Sequence, residues 1–580
     1  MKYSLNLGAL KSTLPPRAAG GKDVFRLAVL GDFSGRASGG QLATGDELAK
    51  RKPLAVDVDN LDELVQRMNI KLTLPIGAEG GAVEIPIASM DDFHPDQLYD
   101  NVEAFSALSG LRQRLKTASM FAKAAAEVQS WSGASAAEPE PRPKARGSVV
   151  PVNGKLSDFA ALIGQPSAKE TETPIADLLK QIVGPHVVAA KDPKADKLVA
   201  TVDQAIGQTM QSILHHPDFQ ALESVWRGLE FLVRRLETGQ SLRIVVYDIS
   251  AEEFAADLSA TEDLQETGLY KLLVEQPALD AQQGPITAIV TNYFLEKTPP
   301  HAELLGRMSR LCAAASAPLL AAIGTDVIKK LKPEEIHPLI KESWGALKSM
   351  PEAGYLGLTV PRFMLRNPYG AKTDPIDKFD FEEFTPKEGL KGMLYTSGAV
   401  LAGLLLAQTY EKAGSVKKIS LGGVMSAGDM PYYYYEDADG DQVALPCTER
   451  LLSVDAAAHV SAQRFMPVLA IKGRPEVRLG SFQSVTGKPL AGLWAPVTIA
   501  PTAPAAAPEP AAPPPAAAAP AAAEQPAAPA AESPPAEAAA SADAELDALL
   551  ASLGTPAEAA PAAGGEAAID PDLAALLADL

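Results

Sequence analysis

The spacing of apolar side chains divides the first patterned segment, residues 23–131, into strands followed by helices. Apolar or alternating runs at 25–30, 70–75 and 83–87 predict three strands. From residue 98 to residue 115 apolar side chains recur every three or four positions, which predicts a helix with one buried face. That face consists of Leu98, Val102, Phe105, Leu108, Leu111 and Leu115.

The second patterned segment, residues 154–496, alternates between the same two periods. Helical spacing at 203–214 and again after Pro217 precedes apolar runs at 242–247, 286–291 and 319–323, and these runs predict strands. The helix after Pro217, predicted over 218–236, has an apolar face of Leu222, Val225, Trp226, Leu229 and Leu232. We expect Trp226 and Leu229 to anchor this helix in a core. Strands alternating with helices predict an α/β (α+β layered) fold in two domains.

Three other segments lack the apolar side chains that a core needs. Residues 1–22 are weakly patterned, and we expect them to be mobile. Residues 132–153 change to Ala, Pro, Glu, Lys and Gly, the composition of a linker that is too polar to bury. Residues 497–542 are almost entirely Ala and Pro, which predicts a disordered tether.

The last segment, residues 543–580, carries one leucine spacing twice. In each copy, acidic residues precede leucines at positions i, i+3, i+4 and i+7, which predicts a short amphipathic helix. Helices this short are marginal alone, so we expect these faces to bind a partner protein. A disordered end whose leucines have no function is the alternative. The leucines are Leu546, Leu549, Leu550, Leu553, Leu573, Leu576, Leu577 and Leu580.

Charge and cysteine content exclude several classes of protein. A formal net charge of −20 and a pI near 4.9 argue against nucleic acid as a partner. Cys312 and Cys447 are too few for a disulfide framework, which favours a reducing compartment. The N-terminus lacks a signal-peptide pattern, and the longest apolar stretch, 399–407, is too short to span a bilayer. We therefore predict a cytoplasmic protein without membrane insertion.

No sequence motif groups the side chains of an active site. The turn at 31–36 lacks the Gly-Lys-Ser/Thr of a phosphate-binding loop, and Gly487-Lys488 is followed by a proline. His215 and His216 are adjacent, so their rings diverge and favour helix capping or packing over metal binding. We expect no catalytic residue, no cofactor and no metal.

Residues 24–98 resemble the small subunit (TssB) of the type VI secretion contractile sheath. The resemblance rests on LGDFSGR at 30–36, RKP at 51–53, VDVDN at 56–60 and MDDFHPDQL at 90–98. Within these motifs, Gly31 and Gly35 would permit a sharp turn, and Asp59 or Asn60 would cap a helix that begins at Leu61.

Residues 215–490 resemble the large sheath subunit (TssC). The matching motifs are HHPDFQALE at 215–223, WRGL at 226–229, IS at 249–250, EE at 252–253, GYLGL at 354–358, PRF at 361–363, LR at 365–366, PYG at 368–370, LPCTE at 445–449 and FMPV at 465–468. At Asn292 the family commonly has an aspartate, so that match is partial. The two resemblances imply both subunits, in order, on one chain.

The resemblance implies a structural protein without catalysis. In this family the two subunits form an obligate heterodimer that stacks in rings around an inner tube and expels the tube by contraction. Neighbouring protomers donate strands to open sheet edges, which gain main-chain hydrogen bonds. The implied partners are other sheath protomers, inner tube and baseplate proteins, and a recycling AAA+ ATPase. We also expect the two halves of this chain to fold against each other, within one chain or between neighbouring copies.

The chain departs from the family pattern at two lattice elements. The region that follows residues 482–489 in large subunits is replaced by the Ala/Pro tether and the leucine peptides, and the small subunit's terminal strand is hard to place before residue 132. A non-polymerising sheath-like adaptor that recruits a partner through the leucine peptides is therefore an alternative function. The third candidate function is that of an enzyme of unrecognised type.

Overall fold

The computed structural model describes residues 6–10, 23–76, 81–131, 144–151, 155–160, 162, 173–187, 194–280, 284–330, 335–386, 389–437 and 439–497. All of them belong to one unit, residues 1–501. The predicted tether beyond residue 497 and the eight leucines lie outside the described residues. We call residues 23–131 the N-terminal half and residues 155–497 the C-terminal half.

The N-terminal half contains four strands and five helices within its described residues. Its strands are β1 (Phe25–Gly31), β2 (Leu54–Val56), β3 (Ile70–Pro75) and β4 (Ala82–Ile87). Its helices are α1 (Gly45–Ala49), α2 (Leu61–Met68), α3 (Pro95–Asn101), α4 (Glu103–Lys116) and α5 (Ala118–Ser130).

The C-terminal half alternates helices and strands. Its helices are α6 (Leu156–Ala160), α7 (Ile175–Val183), α8 (Ala195–Leu214), α9 (Pro217–Val233), α10 (Ala251–Ala260), α11 (Gly268–Tyr270), α12 (Gln276–Leu279), α13 (Pro299–Ala315), α14 (Pro338–Ser349), α15 (Gly398–Ala413) and α16 (Val454–Ala462). Its strands are β5 (Leu242–Asp248), β6 (Ala288–Leu295), β7 (Leu319–Ile323), β8 (Leu356–Val360), β9 (Phe363–Met364), β10 (Tyr395–Thr396), β11 (Ser426–Ala427), β12 (Tyr434–Glu436), β13 (Gln442–Ala444), β14 (Met466–Ala470) and β15 (Val477–Leu479).

One sheet combines strands from both halves. In the described residues its order is β11-β15-β14-β8-β7-β6-β1-β5-β2. β1 is parallel to both of its neighbours, with Leu27 opposite Ile244 of β5 and Ala288 of β6. The first strand of the chain therefore lies inside the sheet of the C-terminal half, and the two halves fold against each other within one chain.

Side chains of β1 alternate between two hydrophobic cores, one on each face of the sheet. Phe25, Leu27 and Val29 belong to the core that contains α9 and α15. Ala28 and Leu30 belong to the core that contains α10 and α13. Because both faces are covered, every residue of the strand is buried, which explains its nearly continuous apolar sequence.

The helix predicted over 98–115 is two helices in the structure. Its six apolar residues are all buried, as predicted. However, Val102 has an extended backbone (φ −92°, ψ 123°) that separates α3 from α4. Val102 is itself fully buried, so the spacing of buried residues continues across the break and conceals it from a periodicity argument.

Two further helix boundaries differ from the sequence predictions. Asn60 precedes α2 as predicted, but its Oδ1 accepts the N–H of Asp57 (3.1 Å) and does not cap the helix. The helix that begins at Pro217 ends at Val233, three residues before the predicted end at Leu236. None of the helices in the described part of the chain has the length and apolar content to cross a membrane.

Part of the polar segment that precedes the C-terminal half is buried, contrary to the expectation from its composition. Ser148 and Val150 pack beside the end of β6. The N–H of Phe294 donates to the carbonyl of Ser148 (2.9 Å), and the N–H of Val150 donates to the carbonyl of Phe294 (3.1 Å). Burial is tolerated because these main-chain groups are paired.

Candidate functional site

The eight leucines named as candidate partner-binding residues lie outside the described residues, so their binding role stays a prediction. The structure instead brings together the motifs that carried the family resemblance. LGDFSGR and MDDFHPDQL of the N-terminal half both contact motifs of the C-terminal half. We call the contact between the two halves the junction, and each of these two motifs forms a separate part of it.

The LGDFSGR loop lies at the carboxyl ends of β1, β5 and β6, where the order of strands in the sheet reverses. In open α/β sheets this position commonly holds a ligand. Here the crevice is filled by the chain, and the cavity that remains between Asp32, Gly147 and Asn292 has a volume of about 10 Å³. Such a volume has room for about one water molecule, so a nucleotide does not fit.

A group of charged side chains fills this crevice; we call it the switch-point cluster (Asp32, Arg36, Arg51, Asp248 and Glu253). Glu253 is fully buried. Its carboxylate accepts from Arg51 Nη1 (2.6 Å), from Arg51 Nη2 and from Arg36 Nε (3.3 Å). Both arginines belong to the N-terminal half and Glu253 to the C-terminal half, so the cluster joins the halves.

The other two carboxylates of the switch-point cluster bind main-chain N–H groups of the loop. Asp248 accepts the N–H groups of Phe33 (2.9 Å) and Ser34 (3.1 Å) and the hydroxyl of Ser34 (2.7 Å). Asp32 accepts the N–H of Arg36 (2.6 Å) and of Ala37 (3.0 Å). Burial, together with the negative charge of Asp248, raises the pKa of Asp32 well above its usual value. Loop N–H groups that could hold a phosphate are therefore already bonded to carboxylates of the chain.

Gly147 packs closely against Asp32 of the switch-point cluster. Its N–H donates to Glu252 Oε1 (3.0 Å), and its carbonyl accepts the N–H of Ala251 (2.9 Å). Its φ is +81°, and a Cβ atom there would lie 2.1 Å from Asp32 Oδ2. Only glycine satisfies both the backbone conformation and the close approach.

Trp226 contacts the same loop from α9. The indole is fully buried, lies edge-on to the Phe33 ring with centroids 5.1 Å apart, and donates from Nε1 to the carbonyl of Phe33 (2.9 Å). The prediction that Trp226 and Leu229 anchor this helix in a core is confirmed, since Leu229 is also buried. Trp226 additionally holds the two halves together.

The second part of the junction is a segment of the C-terminal half, residues 366–384, which we call the strap. At its start Arg366 lies between two fully buried carboxylates, with Nε 2.7 Å from Glu223 Oε1 and Nη1 2.7 Å from Glu383 Oε2. Its guanidinium also stacks 4.0 Å from the centroid of Tyr369. These contacts fix the first turn of the strap on α9.

The strap then crosses the MDDFHPDQL motif of the N-terminal half. Asp96 accepts the N–H groups of Asp377 and Lys378 (3.1 Å each). His94 lies edge-on to Tyr369 with centroids 5.0 Å apart, and the ring of Phe379 stacks on Tyr99 of α3 at 5.1 Å. LGDFSGR and MDDFHPDQL thus each have bonding partners in the C-terminal half.

The adjacent histidines have structural roles, as predicted. His216 Nδ1 accepts the N–H of Asp218 (3.2 Å) and so caps α9. His215 is buried with its Nε2 3.8 Å from Glu383 Oε1. Within the ranges that the structure describes, no three His, Cys, Asp or Glu side chains form a group that could hold a metal ion.

Comparison with known proteins assigns this architecture to a family. A family model described as "EvpB/VC_A0108, tail sheath N-terminal domain" matches residues 196–486, just over half of the chain. The chain belongs to the type VI secretion tail sheath family. A second model, "Type VI secretion system, VipA, VC_A0107 or Hcp2", matches residues 24–129. The sheath chain is also 29% identical over 340 residues to the type VI secretion system sheath protein TssC1 of Pseudomonas aeruginosa, an alignment that covers 54% of this chain and 68% of TssC1.

The matches confirm a fused TssB–TssC sheath protein, and they make the junction a contact between its two subunit-like halves. Sequence reasoning had named the motifs but not their partners. Glu253 could have been found, because Ser250 and Glu253 form a capping box at the start of α10, with the N–H of Glu253 3.1 Å from Ser250 Oγ and the N–H of Ser250 3.1 Å from Glu253 Oε2. The same carboxylate then pairs with the arginines, a role for which the sequence carries no local signal.

Proposed function

We propose that this structural component of a type VI sheath supplies both subunit-like parts of a protomer, which assembles with copies of itself around an inner tube and drives ejection of the tube by contraction. The observation that supports this most is the position of β1, between β5 and β6 of the other half. A single chain thereby supplies both subunit-like parts in a fixed one-to-one ratio. The protomer itself needs no catalytic site and no cofactor, because contraction draws on energy stored in the lattice.

The ends of the sheet offer places for contacts between protomers. β2 and β11 are the outermost strands, three and two residues long, and in the described residues neither pairs with a further strand of the sheet. An edge of this kind can accept an extended segment from a neighbour. The proposed partners are other copies of the chain, inner tube and baseplate proteins and a recycling AAA+ ATPase, all in the cytoplasm.

Electron microscopy of the purified full-length protein tests this proposal. We expect rings or tubes, both for the full chain and for a variant that ends at Val497. Monodisperse particles under all salt and concentration conditions would contradict the sheath function and favour the adaptor.

A pull-down tests the proposed role of the C-terminal leucines in either function. Full-length protein is compared with a variant in which all eight leucines are changed to Ser. We expect the unchanged protein to recover at least one partner that the variant loses, because only amphipathic faces would bind through those positions. Recovery of the same proteins by both would contradict a binding role.

A further inference from the structure

Three cations gather on the C-terminal half where none of the described residues supplies a paired carboxylate; we call Lys297, Lys348 and Arg464 the basic cluster. Lys297 Nζ donates to the side-chain oxygen of Gln463 (2.7 Å), and Lys348 Nζ donates to the carbonyl of the same residue (3.0 Å). Two ammonium groups, one from the loop after β6 and one from α14, therefore converge on one residue.

Two aromatic rings lie beside the basic cluster. The Nζ atoms of Lys297 and Lys348 lie 6.0 Å and 5.6 Å from the centroid of Phe465. Trp344 meets the same ring edge-on, with centroids 5.9 Å apart. Phe465 is fully buried, so the two ammonium groups are held at the rim of the core.

The electrostatics of the basic cluster are unfavourable as it stands. Burial and the positive charges of Lys297 and Arg464 lower the pKa of Lys348 to about 8. Glu296, the residue before Lys297, pairs with Lys144 (2.6 Å). Among the described residues, none of the three cations forms an ion pair with a carboxylate, and the buried Oγ1 of Thr298, next to Lys297, has no hydrogen-bond partner.

This arrangement is unusual for a chain with 72 acidic and 52 basic residues. At the junction described above, Arg51 and Arg366 each pair with fully buried carboxylates. All three residues of the basic cluster are partly exposed, so an anionic group can reach them from outside. Each copy of this acidic chain carries an excess of carboxylates. In an assembly, the surface of a neighbouring copy can therefore supply the negative charge that complements the cluster.

We propose that the basic cluster binds a carboxylate-bearing surface of a second copy of this chain when protomers assemble. The inference rests on the proposed sheath function and adds a specific contact to it. Binding would place negative charge beside Lys297, Lys348 and Arg464. It makes assembly depend on these cations and on salt.

Charge reversal tests the proposed contact. Lys297→Glu/Lys348→Glu is compared with Lys372→Glu/Lys417→Glu, a control with the same change of net charge at exposed lysines. Assembly is followed by sedimentation and electron microscopy, and circular dichroism verifies the fold. We expect at least a tenfold rise in the concentration needed for assembly of the cluster variant, with the control near wild type. If charge reversal disturbs folding, the milder variant Lys297→Gln/Lys348→Gln replaces it in the test. This variant keeps polar side chains, and we expect it to raise the concentration needed for assembly by an intermediate amount.

A second measurement reports the contact in the unchanged protein. An amine-acetylating reagent should modify Lys348 in dispersed protomers and modify it at least fivefold less in assemblies, whereas Lys372 should react equally in both. Wild-type protein that forms no assembly would overturn the proposed function and this inference with it. Assembly of wild type and cluster variant at equal concentrations, or protection of Lys348 by inorganic phosphate alone, would overturn only the inference.

Discussion

The switch-point cluster and the basic cluster differ in whether their charged side chains are paired with opposite charges. In the first, three carboxylates, of which that of Glu253 is fully buried, are surrounded by two arginines and by N–H groups of the LGDFSGR loop. In the second, two lysines and an arginine meet around Gln463 and Phe465 without a carboxylate in the described structure. Among the described residues, the charges of the first cluster are paired and those of the second are not.

This difference separates charges that build the protomer from charges that are available to a partner. Removing one member of a complete buried pair leaves an uncompensated charge, which is strongly destabilising. Removing a member of a cluster of like charges relieves repulsion instead. Substitutions in the two clusters should therefore change stability in opposite directions, and the predictions below test this from the largest effect to the smallest.

The largest effect is expected when the two halves are separated. A C-terminal piece that begins at Glu138 lacks β1 and should not fold alone, because β5 and β6 would lose the strand between them. Co-expression with residues 1–137 should restore folded protein that co-purifies as two chains. Circular dichroism and gel filtration of the C-terminal piece alone are the measurement. A cooperatively unfolding C-terminal piece would show that β1 is dispensable.

Replacement of Trp226 should weaken the contact between halves without abolishing it. Trp226→Ala should lower the free energy of unfolding by about 3–5 kcal/mol, because it empties a fully buried site. Trp226→Phe keeps a ring beside Phe33 but loses the 2.9 Å hydrogen bond, so it should lose less. Urea unfolding monitored by circular dichroism checks both. Equal losses for the two variants would mean that ring packing contributes little.

Glu253→Gln probes the switch-point cluster. It leaves Arg51 and Arg36 without their charged partner in a buried place, and we expect a loss of about 3 kcal/mol. Combining it with Arg51→Met should cost less than the sum of the single changes, since the two side chains interact directly. Chemical unfolding of wild type, the two single variants and the double variant gives the four free energies of a double-mutant cycle. Additive losses would show that the pair is not coupled.

Lys348→Met probes the basic cluster, and here we expect a gain in the melting temperature of the dispersed protomer at pH 7. The folded state lowers the pKa of Lys348 to about 8 from an ordinary value near 10.5, so the unfolded state binds this proton more tightly. Wild-type stability therefore rises relative to the variant as pH increases through that window, and the advantage of Met shrinks towards about pH 10.

Melting curves of wild type and Lys348→Met at pH 7 and at about pH 10 measure this effect. Lys341→Met, on an exposed position of the same helix α14, is the control and should change little. A Lys348 variant that is less stable than wild type at pH 7, while the control is unchanged, would show that the cations are compensated within the protomer.

Local patterns predicted the elements, but not how they combine. The apolar run at β1 indicated a buried strand, yet parallel pairing with β5 and β6 depends on residues more than 200 positions away. Similarly, Glu253 looks like an ordinary residue of a helix start, and its burial follows from arginines of the distant N-terminal half. The basic cluster draws Lys297 and Arg464 from two loops and Lys348 from α14, so no local spacing could have indicated it.

The interior position of β1 in the sheet also affects how the protein is made. Phe25 pairs with Leu242, which lies 217 positions later in the chain. At roughly 5–20 residues per second, a ribosome needs on the order of ten seconds or more to supply β5 after β1 has been synthesised. During that time β1, whose residues are all buried in the finished fold, has no sheet to join. Fusion of the two halves guarantees that the awaited strands arrive on the same molecule, so completion of the fold depends on synthesis and not on encounter between separate subunits.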